Sequence, residues 1–555
     1  MNKLFRLKAL FVILFLFFSI SAASTQKKDE VDRLFSQWDR GDTPGCALAI
    51  VRDGKIIYER GYGSANLEYG IPIKSKSVFY IGSISKQFVA MSIALLAKEG
   101  RLSLDDDIRK HIPELPDYGL PITIRNLIHH TSGLRDYLTL LDIAGFDFGS
   151  FHEEDVLELI ARQKELNFKP GEEYLYSNSG YFLLGIIIKR VSGKTLREYA
   201  EESIFKPLGM KNSHFHDDYT QLIKNRAWGY FPAAGGGYKN FISTFDCVGS
   251  GGLYTTVEDL FLWDKNFYNP RLGGKELINL METPGTLNSG KRLDYAFALV
   301  IGSYKGLKTV SHGGALGGFR AYMVRFPEQK FSVICLSNLS SFNPTKLSLQ
   351  IADIYLAQAF KEEQKQAQKE KFIELFAEKL KEKAGAYLQP ESGEMVRVVF
   401  DEKEKKLVLK ASRQSFLLSA LSETEFQALN APLKTIIKFE MQAERPMLMK
   451  VFEGDEPPRT YQSIEVWAPQ SEQLEEYQGE YFSEELQVTF RLGLKEGKLY
   501  FVHKNARQAP LLPTLNDKFY AAGLFVQFIR DNEKRISGFA LNAGRVRNLW
   551  FMKKE

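Results

Sequence analysis

The chain has 555 residues, of which 44% are hydrophobic and 25% are charged, and its formal net charge is +5. This composition is typical of globular proteins and excludes a disordered or collagen-like chain. At ~150 residues per domain, the length predicts about three or four domains, and the nearly balanced charge gives no reason to expect a nucleic-acid partner.

The first 24 residues have the pattern of a secretory signal peptide. Basic residues lie within the first eight positions, an apolar run follows at 9–18, and mostly small residues occupy 19–24. This is the order of the basic, apolar and cleavage regions of exported proteins. Because the apolar run is too short to span a bilayer comfortably, we expect cleavage and a periplasmic or secreted bacterial protein; an uncleaved membrane anchor is the alternative.

The next elements in the chain predict a hairpin, a helix, loops and a second helix. At 46–62, two apolar runs flank Asp53-Gly54, which is a strong signal for a tight turn. Apolar spacing predicts helices at 83–99 and 181–200, and Pro, Gly and Asp predict loops at 100–145.

Two further strands are predicted at 320–326 and 331–336, on either side of a turn. Strands at both ends of a helical region predict an α+β domain, placed at 25–362, whose sheet joins N- and C-terminal segments. The stretch 363–384 is rich in Lys, Glu, Gln and Ala and has one apolar side. It predicts a charged linker helix, with a partner-binding helix as the alternative.

The C-terminal part predicts two small antiparallel β units, at 385–470 and 474–555. Four sequence blocks recur there in one order at an offset of about 94 residues, so that Gly385 returns as Gly479. Each unit consists of short strands separated by turn signals, which favours a barrel or a sandwich. A chance likeness between two β segments is the alternative to a true repeat, and no catalytic motif is visible in either unit.

Two groups of residues that suggest chemistry have simpler interpretations. Cys46, Cys247 and Cys335 are too few for a disulfide framework, and no cysteine-protease signature surrounds them. Because Cys46 and Cys335 lie in apolar runs, we expect buried thiols. His214-x-His216 is followed by two aspartates, but no further ligand pair has a matching spacing, so we favour an exposed polar strand over a metal site.

The strongest candidate for chemistry is Ser83-Ile84-Ser85-Lys86, at the start of the predicted helix. A serine and a lysine three residues apart share one helix face, so the amine can approach the hydroxyl. A serine hydroxyl is a poor nucleophile until a neighbour takes its proton. The helix N-terminus also offers free N–H groups where an oxyanion would form. The same spacing at Ser24–Lys27 falls in the signal cleavage region.

The segment FYIGSISK, at 79–86, resembles the first motif of the serine β-lactamase-related hydrolases. This family includes class C β-lactamases, DD-peptidases, D-aminopeptidases and related esterases. Further segments resemble the family in the same order: LIHHTSGL at 127–134, Pro170-Gly171 with YSNSGY at 176–181, PLGM at 207–210, GGLYTT at 251–256 and SHGG at 311–314. The likeness covers about residues 30–360 and implies a β-lactamase/transpeptidase-like fold, an antiparallel sheet flanked by helices.

The resemblance implies that Ser83 is the nucleophile and that Lys86 or Tyr176 takes its proton. A phenol has a pKa near ~10, so Tyr176 is a base only if nearby cations lower that pKa. Asn178 is implied to hydrogen-bond Lys86 and the substrate amide. Tyr238-Lys239-Asn240 also fits the Tyr-x-Asn pattern but lacks the flanking motif residues.

The third motif departs from the β-lactamases, because His312 stands where they usually carry lysine. This departure puts β-lactam hydrolysis in doubt and favours the D-peptidase and esterase branches. Gly313 and Gly314 allow a strand to pass close to bound substrate. The resemblance implies an oxyanion hole made by the backbone N–H groups of Ser83 and Ala315.

Two secondary candidates have weaker support. Arg320 is a candidate for binding a substrate carboxylate, with a plain surface arginine as the alternative. We expect His129 and His130 to stabilise their loop rather than to catalyse.

Together the motifs predict an exported serine hydrolase that cleaves a small amide or ester through an acyl-enzyme. The favoured substrate is a D-amino-acid-containing peptide, cleaved as by a D-aminopeptidase or DD-carboxypeptidase. The alternatives are a short-chain esterase, a β-lactamase, and an inactive penicillin-binding-like protein. We expect no cofactor and no metal, and the oligomeric state stays open. The C-terminal units resemble the lipocalin-like barrels of some D-aminopeptidase-like relatives, where they can control access to the active site.

Overall fold

The computed structural model describes residues 25–146, 149, 151–360, 372–390, 392–411, 414–431, 435–440, 447–453, 458–502, 510–521 and 523–554. The predicted signal peptide lies outside the described residues. The chain divides into two compact units, the first formed by Met1–Gly133, Phe148–Leu157 and Phe168–Gln364 and the second by Leu134–Asp147, Glu158–Asn167 and Lys365–Glu555. Within the described ranges, no helix combines the length and apolarity needed to cross a membrane.

The first unit contains a six-stranded antiparallel sheet. The strands of this unit are β1 (Cys46–Arg52), β2 (Lys55–Tyr62), β3 (Ser64–Asn66), β4 (Ile71–Pro72), β5 (Phe79–Tyr80), β6 (His214–Phe215), β7 (Gly229–Pro232), β8 (Tyr238–Phe241), β9 (Leu253–Thr255), β10 (Val300–Tyr304), β11 (Leu307–Leu316), β12 (Phe319–Phe326) and β13 (Phe331–Ser337). The sheet order is β10-β11-β12-β13-β1-β2. Since β1 pairs with β13, the prediction that the sheet joins N- and C-terminal segments is confirmed.

The helices lie before, between and after these strands. They are α1 (25–35), α2 (Lys86–Lys98), α3 (Ile124–Ile128), α4 (Tyr137–Ala144), α5 (Glu153–Ala161), α6 (Asn178–Ser192), α7 (Leu196–Ala200), α8 (Lys206–Leu208), α9 (Val257–Tyr268), α10 (Gly274–Met281), α11 (Pro344–Leu356), α12 (Ala377–Lys381) and α13 (Ser471–Leu474). The single helix predicted at 181–200 is two helices, because Gly193 adopts a left-handed conformation (φ 72°) and ends α6.

The predicted hairpin at 46–62 is confirmed, and its turn explains why it forms. Asp53 and Gly54 both have positive φ, 50° and 71°, as the tight turn between two right-twisted strands requires. Strand β1 is buried from Cys46 to Val51 and lies between β13 and the edge strand β2. Cys46 and Cys335 are fully buried in the core, which confirms the prediction for both thiols.

The second unit contains two closed eight-stranded antiparallel barrels, which confirms the predicted fold class. The first consists of β14 (Gly385–Leu388), β15 (Met395–Asp401), β16 (Lys406–Lys410), β17 (Ser415–Ala420), β18 (Glu425–Ala428), β19 (Thr435–Glu440), β20 (Leu448–Glu453) and β21 (Arg459–Ile464). The second consists of β22 (Gly479–Ser483), β23 (Val488–Lys495), β24 (Lys498–Phe501), β25 (Pro510–Leu515), β26 (Lys518–Ala521), β27 (Leu524–Arg530), β28 (Ile536–Ala543) and β29 (Val546–Lys553).

The two barrels share a local detail at matching positions. The Tyr387 hydroxyl donates to the carbonyl of Lys383 at 2.8 Å, and the Tyr481 hydroxyl donates to the carbonyl of Tyr477 at 2.9 Å. Both tyrosines are buried, and each fixes the entry of the chain into its barrel. These positions correspond under the sequence offset, so the likeness extends from sequence to side-chain contacts.

The charged helix expected at 363–384 is much shorter in the described residues. Residues 361–371 lie outside them, and helix is present only at Ala377–Lys381. Before it, Ile373 is extended and its N–H donates to the carbonyl of Ala420 at 2.9 Å. Leu375 packs against the core of the first barrel. The backbone pairing of Ile373 and the packing of Leu375 therefore favour an extended segment over a helix here.

The second unit also includes 134–147 and 158–167. Arg135 is fully buried and donates to Glu485 Oε1 at 2.6 Å and to Gln163 Oε1 at 3.1 Å. It also donates to two backbone carbonyls of the last strand. A buried guanidinium needs this degree of pairing, because an unpaired charge in the interior is costly.

Candidate active site

Ser83 lies in a single 3₁₀ turn, Gly82–Ser85, that leads directly into α2. The Ser85 hydroxyl donates to the carbonyl of Gly82 at 2.6 Å and accepts the Leu253 N–H at 3.1 Å. The Ile81 N–H donates to the carbonyl of Leu253 at 3.1 Å. These bonds tie the turn to β9 on both sides of Ser83, so the hydroxyl has a fixed place at the start of the helix.

Lys86 is fully buried and donates to three oxygens. Its Nζ lies 3.0 Å from Ser83 Oγ, 2.9 Å from Asn178 Oδ1 and 2.5 Å from the Ser250 carbonyl oxygen. An ammonium has three N–H donors and no lone pair, and these acceptors match the three donors. In this arrangement Lys86 Nζ donates a hydrogen bond to Ser83 Oγ. A lysine in its ammonium form has no lone pair, so in that form it cannot take the serine proton.

Tyr176 and Asn178 stand where α6 begins, and they face Lys86. The Lys86 Nζ is 5.0 Å from the centre of the Tyr176 ring. The backbone N–H of Ser177 donates to His130 Nδ1 at 3.1 Å, and the His130 ring lies 4.1 Å from the Tyr176 ring, centre to centre. The structure thus brings the predicted residues Ser83, Lys86, Tyr176 and Asn178 together, and His130 supports Tyr176.

His312 is buried on β11, with both ring nitrogens in hydrogen bonds. Its Nδ1 is 2.6 Å from the carbonyl oxygen of Gly313, and its Nε2 is 3.0 Å from the Tyr295 hydroxyl. Burial, together with the positive charge of Lys86, lowers the pKa of His312 to about 4. The imidazole is therefore neutral at neutral pH. Its ring centre is 6.3 Å from that of Tyr176.

The backbone of β11 passes very close to the turn that carries Ser83. A Cβ on Gly314 would lie 1.9 Å from the Ile81 carbonyl oxygen and 3.1 Å from the Ser83 nitrogen. A Cβ on Gly82 would lie 2.5 Å from the Ala315 nitrogen. Only glycine fits at either place, and the two backbone nitrogens implied for the oxyanion hole lie in this contact region.

The direction of the Ala315 N–H follows from the ladder. Leu316 and Phe319 close the two-residue turn of the β11–β12 hairpin, and Ala315 pairs with Arg320 next to them. Antiparallel pairs alternate between hydrogen-bonded and non-bonded, so the Ala315 N–H points away from β12. Strand β10 ends its pairing at Ser311, which leaves that side of β11 to the Ser83 turn.

Arg320 and the competing Tyr-x-Asn motif at 238–240 form hydrogen bonds with other residues of the first unit. The guanidinium of Arg320 donates to the carbonyls of Gly317 at 2.9 Å and Phe319 at 2.7 Å, within its own hairpin. Burial lowers the pKa of Arg320. The competing motif Tyr238-Lys239-Asn240 lies on β8, where Asn240 donates to Glu68 at 2.8 Å.

The expectation of an exposed strand at His214-x-His216 is wrong. His216 is buried, His214 is half-buried, and both rings pack against Tyr254. Burial lowers the pKa of both, that of His216 to about 4. The reason is that β6 pairs with β9, which covers the histidine face while Phe215 fills the core. Within the described part of the chain, no group of three or more His, Cys, Asp or Glu is arranged to hold a metal ion.

Sequence reasoning missed Tyr295 and the Ser250 carbonyl. Tyr295 is buried, and in the sequence it lies between the GGLYTT and SHGG motifs without belonging to either. Ser250 directly precedes the GGLYTT motif. It contributes its backbone carbonyl oxygen, which every residue type has, so the sequence gives no sign of this role. His130 was expected to stabilise its loop, and it lies inside a motif that the sequence did single out.

A comparison with protein families matches residues 31–357 to the family described as Beta-lactamase. Penicillin-binding protein 4* of Bacillus subtilis (strain 168) is 30% identical over 314 residues, which cover 53% of this chain and 68% of that protein. A D-aminopeptidase of Gluconobacter oxydans (strain 621H) is 28% identical over 298 residues, which cover 53% of this chain and 56% of that protein.

Among solved structures, the octameric penicillin-binding protein homologue from Pyrococcus abyssi is similar, with a TM-score of 0.56 and 26% identity. The similarity covers 79% of this chain and 99% of that one. The family match spans more than half of the chain, in the stretch where the sequence motifs occur. The chain therefore belongs to the β-lactamase family of serine hydrolases.

Proposed function

We propose that the chain hydrolyses small amides or short peptides whose acyl part is a D-amino acid, in the manner of a D-aminopeptidase. The observation that supports this proposal is the buried Lys86 side chain, whose Nζ is bonded to Ser83 and Asn178 beside Tyr176. The name of the Gluconobacter oxydans relative supports the D-amino acid. The signal pattern at 1–24 supports export as a further part of the proposal.

In the proposed reaction, Ser83 Oγ attacks the substrate carbonyl and its proton passes to the Tyr176 phenolate. Lys86 stays an ammonium and orients the hydroxyl. The N–H groups of Ser83 and Ala315 bind the oxyanion. Tyr176 then protonates the leaving amine, which departs and leaves an ester on Ser83. Water hydrolyses the ester by the same proton transfers in reverse, and this releases the acid and restores the serine.

The charge of the strand beside the site favours an uncharged leaving group. His312 is neutral at neutral pH, and the Arg320 guanidinium donates to carbonyls of its own turn. A free C-terminal carboxylate or a β-lactam carboxylate would need a cation at this place. The site therefore supports aminopeptidase or amidase chemistry better than DD-carboxypeptidase or β-lactamase chemistry.

A matched substrate panel tests the proposal. It contains D-alanine and L-alanine p-nitroanilides, D-Ala-D-Ala as the free acid and as the amide, a p-nitrophenyl ester and a chromogenic cephalosporin. We expect the D-anilide to be preferred over the L-anilide, the dipeptide amide over the free acid, and no turnover by Ser83→Ala. Turnover of the ester or the cephalosporin alone would overturn the assignment to D-amino-acid amides, and a Ser83→Ala variant that keeps its rate would remove the nucleophile.

A further inference from the structure

Tyr295 connects His312 to the aromatic residues around Tyr176. Its side chain is 4% exposed, and its hydroxyl is 3.0 Å from His312 Nε2. Its ring centre is 4.8 Å from that of His130 and 6.2 Å from that of Tyr176. Its backbone carbonyl accepts from His129 Nδ1 at 3.3 Å. Tyr295 is thereby fixed on several sides at once.

The hydrogen bonds of His312 determine where its proton lies. The Gly313 carbonyl can only accept, so Nδ1 carries the hydrogen in the 2.6 Å contact. A neutral imidazole then has a lone pair on Nε2, and the Tyr295 hydroxyl is the donor to it. These two partners together favour the Nδ1–H tautomer.

We propose that Tyr295 is a positioning residue that keeps His312 neutral, in its Nδ1–H tautomer, beside Tyr176. The proposal rests on the proposed function, because it concerns the basicity of the residue that takes the serine proton. A protonated His312 would place a second cation next to Lys86. That charge would stabilise the Tyr176 phenolate further and make it a weaker base.

The groups that face His312 come from several elements. Lys86 of α2 lies close enough for its charge to disfavour the imidazolium, and Tyr176 and Tyr295 lie against the ring. Beyond them, Tyr181 of α6 lies near Tyr295 and donates its hydroxyl hydrogen to the Ile128 carbonyl, and His130 packs on both Tyr176 and Tyr295. Among these groups, the Tyr295 hydroxyl is the one that donates to the neutral form of His312.

Removing the hydroxyl with Tyr295→Phe takes a donor from the neutral imidazole, so the His312 pKa must rise. Loss of one such hydrogen bond corresponds to a shift of about one pH unit. The acid limb of the kcat/KM profile should move up by the same amount. Tyr174→Phe is the matched control, because its ring lies 5.8 Å from Tyr295 in the same cluster and is 40% exposed. It should leave the titration unchanged.

The experiment is NMR of ¹³C,¹⁵N-histidine-labelled full-length protein, with His312→Gln to assign the signal. The wild-type protein should show a neutral Nδ1–H imidazole at pH 7, a readout that needs no Tyr295 variant and no substrate. An Nε2–H tautomer, or an unshifted titration in a folded Tyr295→Phe variant, would overturn the proposal. Failure of the proposed function would give a different result from failure of this proposal. The D-amino-acid substrates would not be cleaved, but the NMR signals would be as described.

Discussion

Lys86 accounts for the reactivity that we assign to Ser83. Its hydrogen bonds join the nucleophile, the first residue of α6 and the Ser250 carbonyl. A buried cation held in this way orients the serine hydroxyl and stabilises a phenolate beside it. In the proposed reaction Lys86 acts as an electrostatic and orienting group, and Tyr176 acts as the base.

Replacement of this lysine tests that role. Lys86→Met removes the charge and all three donors, and we expect kcat/KM for the D-anilide to fall by about 10³-fold or more. Lys98→Met is the control, since Lys98 ends the same helix and only its contact to the Gly273 carbonyl is lost. A Lys86→Met enzyme with more than a tenth of wild-type activity would contradict the assigned role.

The sequence allows part of this site to be predicted at the level of single residues. Ser83 and Lys86 are three apart, in the turn that leads into α2 and at the start of that helix, so local spacing reveals them. Tyr176, Asn178 and His312 are found by motif order, because their side chains meet only through the fold. Tyr295 has no characteristic spacing from the other site residues. Its role depends on one hydroxyl, which a loop places next to His312 Nε2.

Strand β11 and the Ser83 turn function as a pair of elements. Gly314 and Gly82 allow their backbones to approach within contact distance, and this approach places two N–H groups near the nucleophile. The geometry depends on the absence of side chains at both positions. The SHGG motif identifies Gly314 in the sequence. The sequence of β11 alone does not show that its neighbour is the backbone at Ile81.

Gly314→Ala tests whether this approach serves catalysis. The added methyl would lie 1.9 Å from the Ile81 carbonyl oxygen, so β11 must move away from Ser83. We expect kcat to fall by about 10²-fold or more, the cost of losing one oxyanion donor. Gly302→Ala in the adjacent strand is the control, because its nearest neighbour is the Thr309 hydroxyl oxygen at 3.3 Å. Equal activity of the two variants would exclude the close approach as a catalytic requirement.

Element boundaries were predictable where local signals decide them and not where packing does. The Asp53-Gly54 turn fixed the β1–β2 hairpin, since both residues accept positive φ. The run 363–384 has the composition of a helix, but Ile373 pairs with Ala420 and leaves only Ala377–Lys381 helical in the described part. A partner strand 47 positions away gives no sign in the local sequence.

The stability of the first unit should depend on pH through its buried histidines. Burial lowers the pKa of His129, His216 and His312 to about 4, below the ordinary value of 6.5. Between these values the unfolded chain binds more protons than the folded one, so stability rises with pH across that window and is lost as pH falls from 6.5 toward 4. For each group, the free energy of unfolding falls by on the order of 3 kcal/mol between neutral pH and pH 4.

Thermal unfolding between pH 7 and pH 4 checks this dependence. We expect the midpoint to fall steadily as the pH decreases, and to fall less in a His216→Phe variant, because a phenylalanine ring cannot take up a proton. His216 lies outside the catalytic residues, so the comparison reports on stability alone. Burial raises the pKa of Asp264 to about 6, so this group acts in the opposite direction over the same window, and the variant makes the comparison specific. A His216→Phe midpoint that falls as much as the wild-type midpoint would show that His216 is not buried as a neutral group.

In the second unit, Arg135 and Glu485 join residues 350 positions apart in sequence. Neither belongs to a motif, and no local signal predicts their pairing. The pair is almost fully buried, and Glu485 also accepts the Lys164 N–H at 2.7 Å. Loss of either partner should strongly destabilise the fold, because the remaining charge would be buried without a counter-charge.

Neighbouring glutamates provide a matched test of that requirement. Glu485→Ala should destabilise the second unit by about 3–5 kcal/mol, the cost of breaking a buried pair. Glu484→Ala removes an exposed ion pair with Lys164 and should cost less than ~1 kcal/mol. Denaturant unfolding of the two variants measures the difference, and equal midpoints would contradict the role of the buried pair.

Covalent labelling shows whether Ser83 is an activated nucleophile. The full-length protein is treated with a fluorophosphonate probe, digested and mapped by mass spectrometry, beside Ser83→Ala and Lys86→Met. We expect one adduct on the peptide that contains Ser83, none in Ser83→Ala, and much slower labelling in Lys86→Met. An adduct on another serine, or equal labelling of Ser83→Ala, would contradict this expectation.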